Sequence, residues 1–297
     1  MKHFIEDLSK GGIIMLIQMI INELLRRGYD VEETVVSKNG VRKTGILFKE
    51  EGFLSPVIYP PSKRTLLEIV DEVERLYLKA KEEQGEFLPE EMLDWERVKN
   101  SVICCFGKDD EESLVSKRFL NGRMFVRIIL SNEYETVKSV KVTKPILQAL
   151  KVDEKTLFSY AIKNSINLIK IYSLDAMMDN VMMGNSMKDV PDLLAEEFAD
   201  AGIIVVSNRI NYCGASVLGN IPFMTELAQK MDLNELVILP SSIHEFLVVN
   251  TKLMPPVKYE DLRTMVKEVN QEQVAPEEQL SDSIYIFHAD TEEYEII

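Results

Sequence analysis

Histidine, cysteine and tryptophan are scarce in this chain of 297 residues. The histidines are His3, His244 and His288. Three are too few for a histidine-rich metal site, and no zinc-ligand spacing is present. Among the three cysteines, Cys104 and Cys105 are adjacent and Cys213 is distant in sequence. Because an odd number of cysteines fits no disulfide framework, we expect reduced thiols, a cytoplasmic location and no bound metal.

The sequence signatures of common cofactor sites and active sites are missing. The chain contains no GxxxxGK[ST] phosphate loop, no GxGxxG dinucleotide fingerprint, no HExxH motif and no GxSxG nucleophile elbow. Carboxylates are plentiful, but none lies in an apolar setting that would mark an acid–base pair. We therefore expect no cofactor, and the sequence favours a protein that is not an enzyme.

Positive charge is in the minority, with 34 lysines and arginines against 49 aspartates and glutamates and a formal net charge of −15. Such a balance repels a phosphate backbone, so we expect no direct binding of nucleic acid. An acidic surface can keep a cytoplasmic protein in solution. Alternatively, it can imitate nucleic acid and so act as a decoy that inhibits a basic nucleic-acid enzyme.

No hydrophobic run is long enough to cross a bilayer. The most apolar stretch, Ile13–Ile21, is much shorter than the ~20 residues that a membrane-spanning helix needs. It contains Gln18 and lacks a small-residue cleavage site, which argues against a signal peptide. Its apolar residues recur with a period near 3.6, which is typical of an amphipathic helix. We expect a buried helix and no membrane partner.

Helical and strand patterns alternate along the first half. Strands are predicted at 31–37 and 41–48 on either side of an Asn-Gly turn, which supplies the positive φ angles of a tight hairpin. Thr65 and Glu68 form a capping-box pattern at the start of an amphipathic helix. Helical spacing resumes from Leu93 to Ile103.

The second half repeats this alternation. Strands are predicted at Ile203–Ser207, Ala215–Leu218, Leu236–Leu239 and Phe246–Val249, with helices between and after them. The pattern predicts an α+β fold of mostly antiparallel sheets with helices packed on one face. We place two subdomains at residues 1–150 and 151–297.

Five methionines are clustered in the second half: Met177, Met178, Met182, Met183 and Met187. Methionine clusters can bind soft metals or line an adaptable protein groove. At helical spacing, however, methionine more often fills a core, and we favour that interpretation.

The stretch Leu236–Asn250, LVILPSSIHEFLVVN, places Ser241, Ser242, His244 and Glu245 between two apolar strands. These residue types also make up a nucleophilic triad, so a serine-type hydrolase using Ser242 and His244 is one hypothesis. A triad needs its base between the nucleophile and the acid, however, and usually draws them from separate elements. The alternative is a turn whose serine side chains satisfy the backbone.

A polar connection, residues 270–282, follows a predicted helix and contains Pro276, Glu277 and Glu278. It is either a binding loop or a solvated bend. We expect Asn208, the Ser241–Glu245 turn and the Pro276–Glu278 loop to share one binding surface.

The chain resembles a known family at several of these positions. The sequences LPSSIHE and VNQEQVAPEEQLSD look like the paired signature of the domain-of-unknown-function 5688 family, a bacterial family of gut Firmicutes. The likeness extends to further segments: Asn39–Phe48, Lys151–Ser165, Val206–Asn208 and Gly214–Ser216. In its order of elements from Leu157 onward, the chain is also similar to the domain-of-unknown-function 1444 family. Neither resemblance implies an activity.

Together these features favour a non-catalytic binding, interaction or regulatory protein whose partner is another protein. The hydrolase and the acidic decoy are the alternatives, and oligomeric state cannot be inferred from these residues.

Overall fold

The structure is a computed structural model, and it describes residues 10–50, 55–60, 65–84, 93–109, 111–133, 136–186, 189–254 and 258–297. Contacts divide the chain into two compact units, residues 1–94 and 95–297. The boundary that the sequence placed after residue 150 falls inside the second unit.

The first unit consists of two helices and a hairpin: α1 (Lys10–Arg26), β1 (Val31–Lys38), β2 (Val41–Phe48) and α2 (Leu66–Gln84). The predicted turn is present, with Asn39 at φ 50° and Gly40 at φ 79°. The Thr65–Glu68 capping box also forms, since each residue accepts a hydrogen bond from the backbone N–H of the other. The buried faces of both helices and the hairpin make one core.

The second unit begins with an antiparallel four-stranded sheet. A short helix, α3 (Trp95–Val98), precedes this sheet. The strands of the sheet are β3 (Val102–Gly107), β4 (Ser116–Phe119), β5 (Gly122–Glu133) and β6 (Thr136–Lys141). β5 pairs with the other three strands. The helix predicted from Leu93 to Ile103 does not extend beyond Val98. The strand β3 follows instead, and all six of its residues are buried. A run buried on both faces has no amphipathic period, so spacing alone cannot distinguish it from a helix.

The rest of the second unit forms an antiparallel six-stranded sheet in the order β12-β11-β9-β10-β8-β7. Its strands are β7 (Ile169–Ser173), β8 (Ile203–Asn208), β9 (Glu235–Leu239), β10 (Phe246–Val249), β11 (Tyr285–His288) and β12 (Glu293–Ile296). Its helices are α4 (Lys144–Leu150), α5 (Glu154–Asn167), α6 (Leu174–Met182), α7 (Ile221–Lys230) and α8 (Tyr259–Glu272). The predicted α+β fold with antiparallel sheets is therefore confirmed. Among the described residues, no helix combines the length and the hydrophobicity needed to cross a bilayer.

Two further predictions in this unit are wrong. Ala215–Leu218 is not a strand but part of a buried 3-10 helix, Gly214–Gly219. The backbone N–H groups of Ser216 and Asn220 bond back three residues, as a 3-10 helix requires. The methionines do not fill a core either: α6 has no fully buried residue, and Met178, Met182 and Met183 are exposed. A short helix on the sheet can bury only one side, and here that side carries Met177; Met187 lies outside the described residues.

Candidate functional site

Three segments meet around the turn between β9 and β10. The turn is residues 240–245, and it contacts the loop 208–214 that follows β8 and the loop 275–279 that follows α8. The hydroxyl of Ser207 donates to the carbonyl of His244 (3.0 Å), and the N–H of Ile243 donates to the carbonyl of Glu278 (2.8 Å). We call this meeting point the turn junction. The three regions nominated from the sequence are thus neighbours in the structure.

Strand pairing explains why these segments meet. β10 lies between β9 and β8, with Leu247 opposite Leu239 and Phe246 opposite Val206. The turn that joins β9 to β10 therefore lies beside the end of β8, where loop 208–214 begins. Gly214 lies so close to the turn that a Cβ atom there would come within 2.3 Å of the His244 carbonyl oxygen. Only glycine leaves room for this approach.

Ser242 supports the turn itself. Its buried hydroxyl accepts a hydrogen bond from the backbone N–H of His244 (3.0 Å), and its own N–H donates to the carbonyl of Glu245 (3.1 Å). This is the local serine turn that competes with other uses of the side chain. Among the described residues, neither Ser241 nor Ser242 has a hydrogen bond to the His244 imidazole.

His244 is held as a neutral acceptor. Its Nδ1 accepts the backbone N–H of Cys213 (3.2 Å), which places the ring proton on Nε2. Nε2 lies 3.7 Å from a carboxylate oxygen of Glu278, whose side chain is about half exposed. Burial lowers the pKa of His244 below its ordinary value, and the nearby Glu278 only partly offsets this. Both ring nitrogens therefore face protein groups other than a serine hydroxyl.

Glu245 points to a different set of partners. Its carboxylate accepts a hydrogen bond from the hydroxyl of Ser241 (3.4 Å). Burial and, to a smaller extent, the charge of nearby Glu245 raise the pKa of the Tyr172 phenol. Burial raises the pKa of Glu245, while these two hydroxyl donors lower it. Among the described residues, the Glu245 carboxylate thus accepts from Ser241 and has no hydrogen bond to the imidazole that a triad acid would orient.

Asn208 closes the loop that carries Cys213. Its amide nitrogen donates to the carbonyl of Tyr212 (2.7 Å), and its amide oxygen accepts the N–H groups of Ile210 (3.2 Å) and Tyr212 (3.1 Å). The side chain is buried and engaged by its own loop. Its role in the turn junction is to shape this loop.

Loop 275–279 is an ordered turn. The N–H of Glu278 donates to the carbonyl of Ala275 (2.8 Å), and the side-chain amide of Gln279 donates to the carbonyls of Asn270 (2.7 Å) and Val274 (3.0 Å). Pro276 and Glu278 are exposed, and Glu277 is half-buried. This loop supplies the most accessible part of the turn junction.

The turn junction also includes residues that the sequence pattern did not indicate. Tyr212 packs against the His244 ring with centroids 5.5 Å apart, and its hydroxyl lies 3.0 Å from that of Ser139. Arg127 donates to the same Ser139 hydroxyl (2.9 Å). Cys213 occupies the left-handed region at φ 56°, which is uncommon for a residue other than glycine, asparagine or aspartate. A tyrosine and a cysteine within an ordinary polar loop gave no signal of these contacts.

The turn junction combines polar side chains and backbone groups from three segments. The described residues contain no group of three or more histidine, cysteine, aspartate or glutamate side chains that could hold a metal ion. The imidazole lacks a serine to activate, and the carboxylate nearest its Nε2, Glu278, is on the surface. What the junction offers is a polar surface whose shape is fixed by hydrogen bonds from three segments.

Comparison with known protein families identifies a match over most of the chain. A family model described as a family of unknown function (DUF5688) matches residues 14–289. No curated protein and no solved structure matches the chain.

Proposed function

The chain belongs to the family of unknown function DUF5688, and we propose that it is a non-catalytic protein-binding protein of the cytoplasm. Its binding surface is the rim of the turn junction, which consists of exposed Pro276 and Glu278 and of three half-buried residues, Ser241, His244 and Glu277. The family match assigns no activity, so the proposal rests on the geometry of the junction.

The proposal rests on the contacts of the two ring nitrogens of His244. A general base for a serine needs a free ring nitrogen within hydrogen-bond distance of the hydroxyl. In His244, Nδ1 receives the Cys213 amide and Nε2 faces Glu278. The hydroxyl of Ser242 accepts a backbone N–H and is buried. These contacts favour a scaffold over a reaction centre.

Preorganisation makes the surface suitable for a partner. The turn is fixed internally by Ser242 and externally by Ser207 and the carbonyl of Glu278. A surface that is already ordered loses little conformational entropy on binding. Exposed Glu278 adds negative charge at the rim, which favours a partner with a basic contact patch. The acidic-decoy hypothesis rests on net charge alone and stays a prediction.

Affinity purification of the full chain from its native cell, followed by mass spectrometry, tests the proposal when paired variants are used. Glu278→Lys reverses the charge at the rim, and Glu33→Lys makes the same change at an exposed position of the first unit. A partner retained by the wild type and by Glu33→Lys but lost with Glu278→Lys is the expected result. Identical retention by all three proteins would overturn the proposal.

A further inference from the structure

Helix α6 exposes an unusually apolar outer side. The exposed fractions of Met178, Val181, Met182 and Met183 are 53%, 53%, 83% and 75%. Met178, Val181 and Met182 are spaced i, i+3 and i+4, so they form one stripe along the helix. We call these four residues the methionine face. Contiguous exposed apolar groups of this kind mark sites of protein or ligand interaction.

The fold does not need the methionine face. The inner side of α6, with Leu174, Ala176 and Met177, packs against Tyr172, Val190 and Val205. The hydroxyl of Ser173 caps the helix by accepting the N–H of Ala176 (3.1 Å). The helix is thus anchored and capped through its other residues, and the outer methionines contribute to no described core cluster.

The surroundings of the methionine face are acidic. Asp175 and Asp179 are exposed on α6 itself, and the segment that follows carries more exposed carboxylates: Asp189, Asp192, Glu196, Glu197 and Asp200. The start of this segment lies close to α6, because Val190 packs in the same cluster as Met177. Between residues 174 and 200, the sequence contains seven aspartates and glutamates against one lysine, Lys188, and no arginine. Arg209 pairs with Asp192 (2.6 Å), and Lys170 lies near Asp189 and Asp192, but the carboxylates of this region still outnumber the cations, so the potential is negative.

The combination of flexible apolar side chains and flanking carboxylates specifies the chemistry of a partner. Methionine has an unbranched, polarisable side chain that adapts to different apolar shapes. Carboxylates at the rim attract lysine and arginine and repel acidic surfaces, including anionic membranes and nucleic acids. A segment that is apolar on one side and basic on the other satisfies both features, and an amphipathic helix presents this arrangement.

We propose that the methionine face is a docking site for a basic amphipathic helix of a partner protein. The apolar side of that helix covers Met178, Val181 and Met182, and its lysines or arginines lie against Asp175, Asp179 and the carboxylates of residues 189–200. This surface consists of residues other than those of the turn junction, and the proposal does not depend on the function proposed above.

A defined peptide tests this docking site. The probe is a synthetic leucine–lysine peptide whose order produces an amphipathic helix, and its control is a peptide of the same composition in shuffled order. Binding to the full chain is measured by isothermal titration calorimetry. The variant M178Q/M182Q/M183Q removes the apolar face, while M15Q/M19Q/M265Q is a matched control at three other exposed methionines. Circular dichroism verifies that each variant is folded.

The wild type and the control variant are expected to bind the patterned peptide at least about tenfold more tightly than the shuffled one. This ratio corresponds to a difference of about 1.4 kcal/mol in binding free energy. M178Q/M182Q/M183Q is expected to lose this preference, and added salt is expected to weaken the wild-type complex. Equal affinity of the two methionine variants for the patterned peptide would overturn the proposal. So would self-association of the wild type through this face, seen by sedimentation and lost in M178Q/M182Q/M183Q, without binding of the peptide.

Discussion

The backbone N–H of Cys213 donates a hydrogen bond to Nδ1 of His244 across 3.2 Å. The donor belongs to the loop after β8 and the acceptor to the turn between β9 and β10, so this one bond joins two neighbouring connections of the six-stranded sheet. It also fixes the state of the ring, because a nitrogen that accepts a hydrogen bond cannot carry a proton. This hydrogen bond requires the neutral form of the ring, and we propose that His244 has a structural role.

Replacing His244 tests its structural role. In His244→Ala, the amide of Cys213 loses its acceptor, and a buried polar group without a partner costs about 1–3 kcal/mol. The side-chain oxygen of His244→Asn lies near the position of Nδ1, so this variant is expected to retain much of the stability. Urea denaturation measures both. Equal losses in the two variants would show that the accepted hydrogen bond contributes nothing beyond packing.

The stability of the turn junction is expected to depend on pH through the same residue. Burial lowers the pKa of His244 in the folded protein below the ordinary value of 6.5. As the pH falls below 6.5, the unfolded chain therefore binds this proton before the folded one, and folding stability declines. The difference in unfolding free energy between wild type and His244→Asn isolates this contribution, since asparagine does not titrate. Below pH 6.5, the wild type is expected to lose stability relative to His244→Asn. A gain in its relative stability would contradict the neutral state of His244.

Gly214 is expected to tolerate no side chain. A Cβ atom there would meet the carbonyl oxygen of His244 at 2.3 Å and backbone atoms of Ser207 at 2.9 and 3.0 Å. Because these are backbone atoms, they cannot rotate away, and we expect Gly214→Ala to cost about 1–3 kcal/mol. Gly202→Ala is the matched control, since its Cβ would meet only a methionine sulfur at 3.9 Å. Thermal denaturation that ranks the two variants equally would show that the close approach is absent.

Glu245 is expected to destabilise the fold at neutral pH. Burial raises its pKa above the ordinary value of 4.5, despite hydroxyl donors from Ser241 and Tyr172. A carboxyl group with a raised pKa contributes to folding stability below pH 4.5. This contribution is lost as the pH rises through the pKa that the group has in the folded state. Glu245→Gln keeps an acceptor for both hydroxyls without the charge, so it is expected to be more stable than wild type at neutral pH. This advantage should disappear in acid, and its persistence there would assign it to another cause.

Much of the fold could be predicted from local patterns. The hairpin of β1 and β2 follows from Asn39-Gly40, and α2 begins where Thr65 and Glu68 cap it. β3 was mistaken for helix because a strand buried on both faces lacks a diagnostic period. The exposure of the α6 methionines could not be foreseen either, since helical spacing identifies a stripe but not what covers it.

The candidate site was predictable in location but not in its bonding. Two apolar strands around Ser241–Glu245 identified a turn supported by the core, and the structure brings Asn208 and Glu278 to it. The contact between Cys213 and His244 spans 31 positions of sequence and uses a backbone amide, which carries no side-chain signal. The same holds for Tyr172 and Glu245, since one lies on β7 and the other in the turn before β10, and they approach each other only after the sheet forms.

The central claim, that Ser242 and His244 belong to a scaffold, is tested most directly with a serine-reactive fluorophosphonate probe. The folded full chain is incubated with the probe beside a known serine hydrolase, and the variants Ser242→Ala and His244→Asn are treated in parallel. Because Ser242 is buried, its hydroxyl is bonded to the His244 amide, and the imidazole faces Cys213 and Glu278, we expect no labelling of any of the three proteins. Labelling of the wild type that is abolished in both variants would contradict the account.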